Sequence, residues 1–284
     1  MAAVAGHLEE PLIVDVSTLR RGNISLTDEG AFRFGTQRVY PNRGWIRRVM
    51  PPGWTAGAVA GSRAARDQAA WLVMLVSFLR VSDIRWLSEL DHLLAAENKL
   101  LLAKTARIAN VPTPRTVIAC TPSSGAQALG TSQIVAKPLG PSLFGSSDEH
   151  ASVATSDVSN LVEDEMEPEA YLYQPRIDTQ RCFRVVTVGT QAWSFVRSVE
   201  PGEPLDWRYW ASAHDSFELT DNARLAESAV SVASALGVGF SSQDWLDDGT
   251  TTWIVDVNPA GQWLFLPDDG MIAKAIAAWL CQTG

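Results

Sequence analysis

The chain has 284 residues, 46% of them hydrophobic and 19% charged, with a formal net charge of −9. That length and apolar content support one large domain or two to three small cooperating ones, and exclude a disordered or fibrous chain. The acidic balance argues against general nucleic-acid binding, which needs a basic face for the phosphates, yet leaves room for a local basic pocket around one nucleotide.

Taken in order, PLIVDVS at 11–17 reads as a strand, and 20–45 alternate weakly with turns at Arg21-Gly22 and Asn42-Arg43-Gly44. Residues 63–80 read as a helix with a broad apolar face, and 96–110 as a second helix that stops before Pro112 and Pro114. PRTVIACT and SQIVAKPLG read as short strands joined by SSGAQALGT, and the Gly-, Ser- and acid-rich stretch 139–168 as a mobile loop or linker. AYLYQPRI follows, then a hairpin from CFRVVTV to QAWSFVRSV turning at Gly189-Thr190. Residues 222–236 form a helix ended by Gly237, FSSQDWL and TTTWIVDVNP pair around Asp247-Asp248-Gly249, and AKAIAAWL closes the chain as a helix. The order is a mixed α/β first third, a small strand-rich middle, and a larger antiparallel α+β unit.

Cys120, Cys182 and Cys281 are odd in number and widely spaced, which is neither a disulfide framework nor a metal knuckle and reads as reduced thiols. The longest apolar run, Ala69 to Val76, is too short to span a bilayer. The opening MAAVAGHLEE lacks the basic start and apolar stretch of a signal peptide. A cytoplasmic protein, away from membranes, is the expectation.

No GxxxxGK[ST], GxGxxG, GxSxG or HExxH motif is present, and His7, His92, His150 and His214 have no metal spacing. The informative segment is TWIVDVNPAGQWL, Thr252 to Leu264. Regular alternation would put Ile254, Asp256 and Asn258 on one face, so that a carboxylate and an amide oxygen reach one hard cation, with Asp244 on the preceding strand as a third donor. Mg²⁺ suits such a set, because it takes few protein oxygens and fills its shell with water and phosphate. The same residues also read as a polar strand end before a Pro-Ala-Gly turn.

Lys137 ends an apolar strand, and Lys99 opens a helix whose N-terminus already favours anions. Arg184 begins an apolar strand, and Arg208 follows Asp206-Trp207. Either arginine's rigid fork suits phosphate or carboxylate. Taken singly, each of these cations also reads as a surface residue.

As a series the pattern is specific. Asn98-Lys99, Val-Ala-Lys137-Pro, Tyr173-Gln174-Pro, Phe183-Arg184-Val, Asp206-Trp207-Arg208, Asp244 and Asp256-Val-Asn258-Pro resemble the ATP-grasp superfamily. Trp-Ile-Arg-Arg at 45–48 and Asn258-Pro-Ala-Gly-Gln-Trp263 resemble its graspetide and microviridin-type peptide maturases, relatives of the ribosomal-protein glutamate ligases. The resemblance runs from about residue 12 to the C-terminus. It implies an ATP-grasp fold with an N-terminal domain over 1–95, shortened by its first strand and helix. A central lid would span 96–172 and a C-terminal antiparallel-sheet subdomain 173–284.

It further implies ATP and Mg²⁺ as cofactors, with Lys99 and Lys137 on the phosphates under a 139–160 loop, and Tyr173 and Gln174 at the adenine-side hinge. Arg184 and Arg208 would stabilise the transferring phosphoryl and the acyl-phosphate, with Asp244, Asp256 and Asn258 on magnesium. The implied activity is ligation of a carboxylate to an amine or hydroxyl within a precursor peptide, by a homodimer.

Two residues depart from the pattern: Asp256 stands where Glu is usual, and Cys182 where an acid is usual. A small-molecule amino-acid ligase and a non-catalytic binding member therefore stay open alternatives.

Overall fold

The computed structural model describes residues 1–9, 11–14, 24–28, 32–35, 37–39, 41–48, 59–81, 83–139, 143–144, 151–152, 155–159, 170–210 and 212–282. They form two compact units, one made of 1–93 with 269–284 and the other of 94–268.

The first unit opens with α1 (Ala2–Ala5) and an antiparallel meander of β1 (Ile24–Leu26), β2 (Phe32–Phe34) and β3 (Gln37–Val39). Residues 11–14 form no strand, and the rest of the expected 11–17 strand lies outside the described residues. β4 (Arg43–Gly44) runs parallel to β5 (Arg85–Trp86), with α2 (Arg63–Val81) between them in sequence. Trp86 lies edge-on to Phe78 at 5.9 Å. α3 (Leu90–Ala96) carries the chain into the second unit.

The expected 96–110 helix is broken near its start. Asn98 sits in extended backbone and its side chain accepts from Leu101 N at 3.0 Å, an N-cap that begins a new helix, α4 (Lys99–Ile108). β6 (Val117–Ala119) follows. The SSGAQALGT connection is then not a plain loop but α5 (Pro122–Leu129), with Thr121 as N-cap, proline in its first turn and Gly130 just past its end.

β7 (Ile134–Pro138), β10 (Ser156–Asp157) and β11 (Tyr171–Pro175) join β6 in a four-stranded antiparallel sheet of order β10-β7-β11-β6. β8 (Leu143–Phe144) pairs with β9 (Ala151–Ser152), and most of the expected 139–168 loop lies outside the described residues. One face of the four-stranded sheet packs Ile134, Ala136 and Tyr173 against Leu129 of α5.

β12 (Arg181–Val188), β13 (Gln191–Ser198), β14 (Glu218–Thr220), β15 (Phe240–Asp247) and β16 (Thr252–Asn258) build a second antiparallel sheet of order β14-β13-β12-β15-β16. α6 (Ala223–Ala235) covers one of its faces, where Gln243 donates to Ala229 O at 2.9 Å. The last helix, α7 (Met271–Leu280), belongs to the first unit. Among the described residues, no helix is long and apolar enough to cross a membrane.

Candidate active site

Residues directly opposite on antiparallel strands share a face. Arg184 of β12, Asp244 of β15 and Asp256 of β16 therefore form one charged row across three strands. The next row holds Val186, Ser242 and Asn258, and the row on the other side Arg197, Cys182 and Leu246. Alternate residues such as Val185, Gln243 and Val257 point the other way and are buried toward α6.

The expected alternation fails at one place in β16. Asp244 pairs with Asp256 but Trp245 pairs with Ile254, so Val255 is the extra residue of a β-bulge. The bulge turns Ile254, fully buried, onto the core face beside Trp245, while Asp256 and Asn258 stay with the charged row. Ile254 therefore does not share a face with Asp256. The Ile254 N–H, released by the irregularity, donates to Pro112 O at 2.9 Å.

Helix α4 packs beside β16, and this brings its first residue, Lys99, into a hydrogen-bonded ion pair with Asp256. A lysine in a first helical turn opposes the helix dipole, so Asp256 compensates it. Burial works against the charged form of Asp256. Lys99, then Lys137 and Arg184, outweigh that and hold its carboxyl below the usual range. Lys137 stands on β7 opposite Leu172, on the face turned away from α5. Burial pulls its ammonium down to about 8, with Lys99 adding to the effect and Asp256, Asp244 and Asp206 resisting it.

Arg184 is buried, donates Nη1 to Asp244 Oδ1 at 2.5 Å and Nη2 to Gln262 O at 3.1 Å, and keeps a buried Nε without a partner among the described residues. Arg208 grips Asp206 with two parallel bonds, Nε to Oδ1 at 2.7 Å and Nη2 to Oδ2 at 2.5 Å. Burial opposes the Asp206 carboxylate, but the bonds and charge of Arg208 hold it below the usual range. That bond to Asp206 in turn raises the Arg208 guanidinium, with smaller help from Asp244 and Asp256, so this turn feels the charged row.

The Asn258–Trp263 segment folds back over the same sheet face. Asn258 Oδ1 accepts from Ala260 N at 3.0 Å, and the Gln262 carbonyl accepts from Ser242 Oγ at 3.3 Å as well as from Arg184. Gly261 permits the close approach, since a Cβ there would lie 2.4 Å from Ser242 Cβ. Trp263 is buried edge-on to Phe240.

Seven of the nine residues marked in the sequence therefore belong to one cluster: Lys99, Lys137, Arg184, Arg208, Asp244, Asp256 and Asn258. Tyr173 and Gln174 are both buried on β11, Gln174 on the Lys137 face and Tyr173 on the other. The Tyr173 side chain is fully buried under α5, its hydroxyl without a partner among the described residues, on the opposite face from Lys137. Gln174 is buried with Nε2 donating to Thr116 Oγ1 at 3.0 Å. Leu172 and Gln174, not Tyr173, share the Lys137 face.

Cys182 is buried opposite Arg197, and burial pushes its thiol up to about 12, so it stands neutral there. Sequence reasoning assigned no role to Asp206 or Ser242. The first lies inside the Asp-Trp-Arg triplet, and the second is two residues before Asp244 on the same strand, where alternation alone would have found it.

Among the described residues, no group of three or more His, Cys, Asp or Glu forms a metal cage. The available donors, two carboxylates and one amide, are all oxygen. Such a partial set fits Mg²⁺, which takes its remaining ligands from water and phosphate, and does not fit zinc.

No protein-family model and no curated protein matches the chain. Solved structures do. Macrocyclase MdnC from Microcystis aeruginosa MRC, bound with precursor peptide MdnA, superposes with a TM-score of 0.78 at 18% identity, over 98% of this chain and 93% of that one. A RiPP-associated ATP-grasp ligase of Chryseobacterium gregarium, in complex with ADP and a leader and core peptide, gives 0.80 at 17% identity, over 99% and 91%. The ATP-grasp ligase PsnB, complexed with minimal precursor, Mg and ADP, gives 0.72 at 12% identity, over 99% and 93%.

The chain has the ATP-grasp fold. The two antiparallel sheets of residues 94–268 are parts of that ATP-grasp architecture, and the charged row lies on one face of the larger sheet.

Proposed function

We propose that this chain is a magnesium- and ATP-dependent ligase that activates a carboxylate of a ribosomally made precursor peptide as an acyl-phosphate and joins it to an amine or hydroxyl of that peptide. The observation that carries the reading is the Arg184–Asp244–Asp256 row, with Lys99 paired to Asp256 and Lys137 held in the field of the same carboxylates. The ligands of the similar structures, ADP, Mg and precursor peptides, support it.

In this reading a substrate carboxylate oxygen attacks the γ-phosphoryl of ATP and ADP departs. The amine or hydroxyl then attacks the acyl carbon and phosphate departs. The protein's share is positioning and charge neutralisation, which is most of what phosphoryl transfer requires. Lys99 and Lys137 would neutralise the phosphates. Arg184 and Arg208 would hold the equatorial oxygens as charge shifts toward the leaving group. Mg²⁺, when bound by Asp244, Asp256 and Asn258, would supply further neutralisation of the phosphates. Tyr173 and Gln174 would contribute at the adenine-side hinge through the β11 backbone, since their side chains are taken up in the protein. We also place the protein in the cytoplasm, where its three free thiols would stay reduced.

The test is mass spectrometry of an acidic precursor peptide from the same gene neighbourhood, incubated with the protein and Mg-ATP. One water lost and one ADP released per new bond is the expected result. ADP release with an unmodified peptide would remove the ligase assignment.

A further inference from the structure

Arg197 is in β13 opposite Cys182, one row along the charged face from Arg184. Its side chain is 2% exposed and that of its partner Glu203 1%. Nη2 donates to Glu203 at 2.6 Å, and Nε donates to Ser216 Oγ at 3.1 Å. Glu203 also accepts from Glu200 N at 2.9 Å, and Ser216 Oγ donates on to Ala213 O at 3.0 Å. One guanidinium thus ties positions 203 and 216, and the Asp206-Trp207-Arg208 turn lies between the two ties.

A cavity of about 380 Å³, lined by Arg181, Arg197, Trp210 and Ser216, lies along the same segment. The two tethers span this open side of the segment, while Ala213 within it and Phe217 just past its end are buried. The turn is also held by the ring contacts of Trp207 with His214, Phe217 and Phe265, at 5.2, 5.4 and 6.0 Å, and by the Thr155 N–H, which donates to the buried Asp206 carboxylate.

We infer that Arg197 is a positioning residue, which clamps both ends of the 203–216 segment and so sets where Arg208 stands relative to the Arg184–Asp244–Asp256 row. This rests on the phosphoryl-transfer reading of Arg208. In this reading Arg197 acts through Arg208. The planar fork is required because a lysine ammonium can keep Glu203 but cannot hold Ser216 at the same time.

The experiment is calorimetric titration of Mg-AMPPNP and Mg-ADP into the full chain and into Arg197→Lys, Arg208→Ala and their double variant. The preference for AMPPNP over ADP reads the γ-phosphoryl contact. Arg197→Lys is expected to cut that preference roughly tenfold while leaving ADP affinity within about twofold, as loss of a charge-assisted fork contact would. In the Arg208→Ala background it should have no further effect. A combined Arg197→Met, Glu203→Gln variant avoids stranding a buried charge, and should show the same selective loss.

Equal weakening of both nucleotides by Arg197→Lys, or its full effect persisting without Arg208, would overturn the positioning role and leave the ligase reading standing. A wild type that does not prefer AMPPNP, or an Arg208→Ala variant that keeps the preference, would instead overturn the phosphoryl role of Arg208, and the positioning role with it.

Discussion

Lys137 lies half-buried in the field of Lys99, Asp244, Asp256 and Asp206, and burial pulls its ammonium from an ordinary 10.5 down to about 8. The unfolded chain binds that proton more tightly, so stability rises with pH between about 8 and 10.5, and the cost of burying the charge is fully present at pH 7. Lys137→Met should therefore raise the melting temperature at pH 7, by roughly 2–5 °C, while abolishing Mg-ATP binding. Scanning calorimetry and a binding titration on one preparation check both halves, and a variant that melts lower would contradict the account.

Nucleotide affinity should in turn fall as pH rises through about 8, because a neutral Lys137 offers no charge to phosphate. At pH 8 binding should take up about half a proton, seen as a dependence of the binding heat on the buffer's ionisation heat. Lys137→Arg should bind with no such pH dependence, provided the longer side chain is accommodated. Most cations and carboxylates of the candidate site stood in short recognisable motifs, while Asp244 stood alone in the series. Asp206 stood inside the Asp206-Trp207-Arg208 triplet without a role assigned to it, and Ser242, two residues before Asp244 on the same strand, could have been found by alternation alone.

Among the elements, β16 decides where the charged row ends. A regular strand would set Ile254 beside Asp256, but the bulge at Val255 sends Ile254 into the core and keeps Asp256 outward. Ile254→Ala should then cost about 2–5 kcal/mol in urea unfolding, as a fully buried truncation does. Val255→Ala should cost under about 1.5 kcal/mol, since the residue is only half-buried. The reverse ranking would mean the strand alternates without interruption.

The bulge was illegible because periodicity assumes a constant register, and only the partner strand reveals the extra residue. Helix α5 failed to stand out for a different reason. Its eight residues are small and weakly apolar, and the signals that mark it are the Thr121-Pro122 start and Gly130, not a periodic face.

Over the whole molecule, the antiparallel hairpins and their turns follow from local alternation and turn chemistry, and the ordered triplets pointed to the ATP-grasp fold that the solved structures share. The joining of residues 269–284 with 1–93 is a pairing of distant segments that no window of sequence carries. The packing of α4 against β16, which brings Lys99 to Asp256 across 157 positions, is hidden in the same way. Lys99 pairs with Asp256, Arg184 with Asp244 and Arg208 with Asp206, while Lys137 has no hydrogen-bond partner among the described residues, and on these charges rests the proposal that the cluster binds nucleotide. Calorimetric titration of Mg-ATP into the wild type, Lys137→Ala and Asp256→Ala proteins tests it most directly. Saturable binding is expected in the wild type, and each substitution should weaken it by at least roughly tenfold. A wild type that binds no Mg-ATP, or variants that bind it as tightly as the wild type, would contradict the proposal.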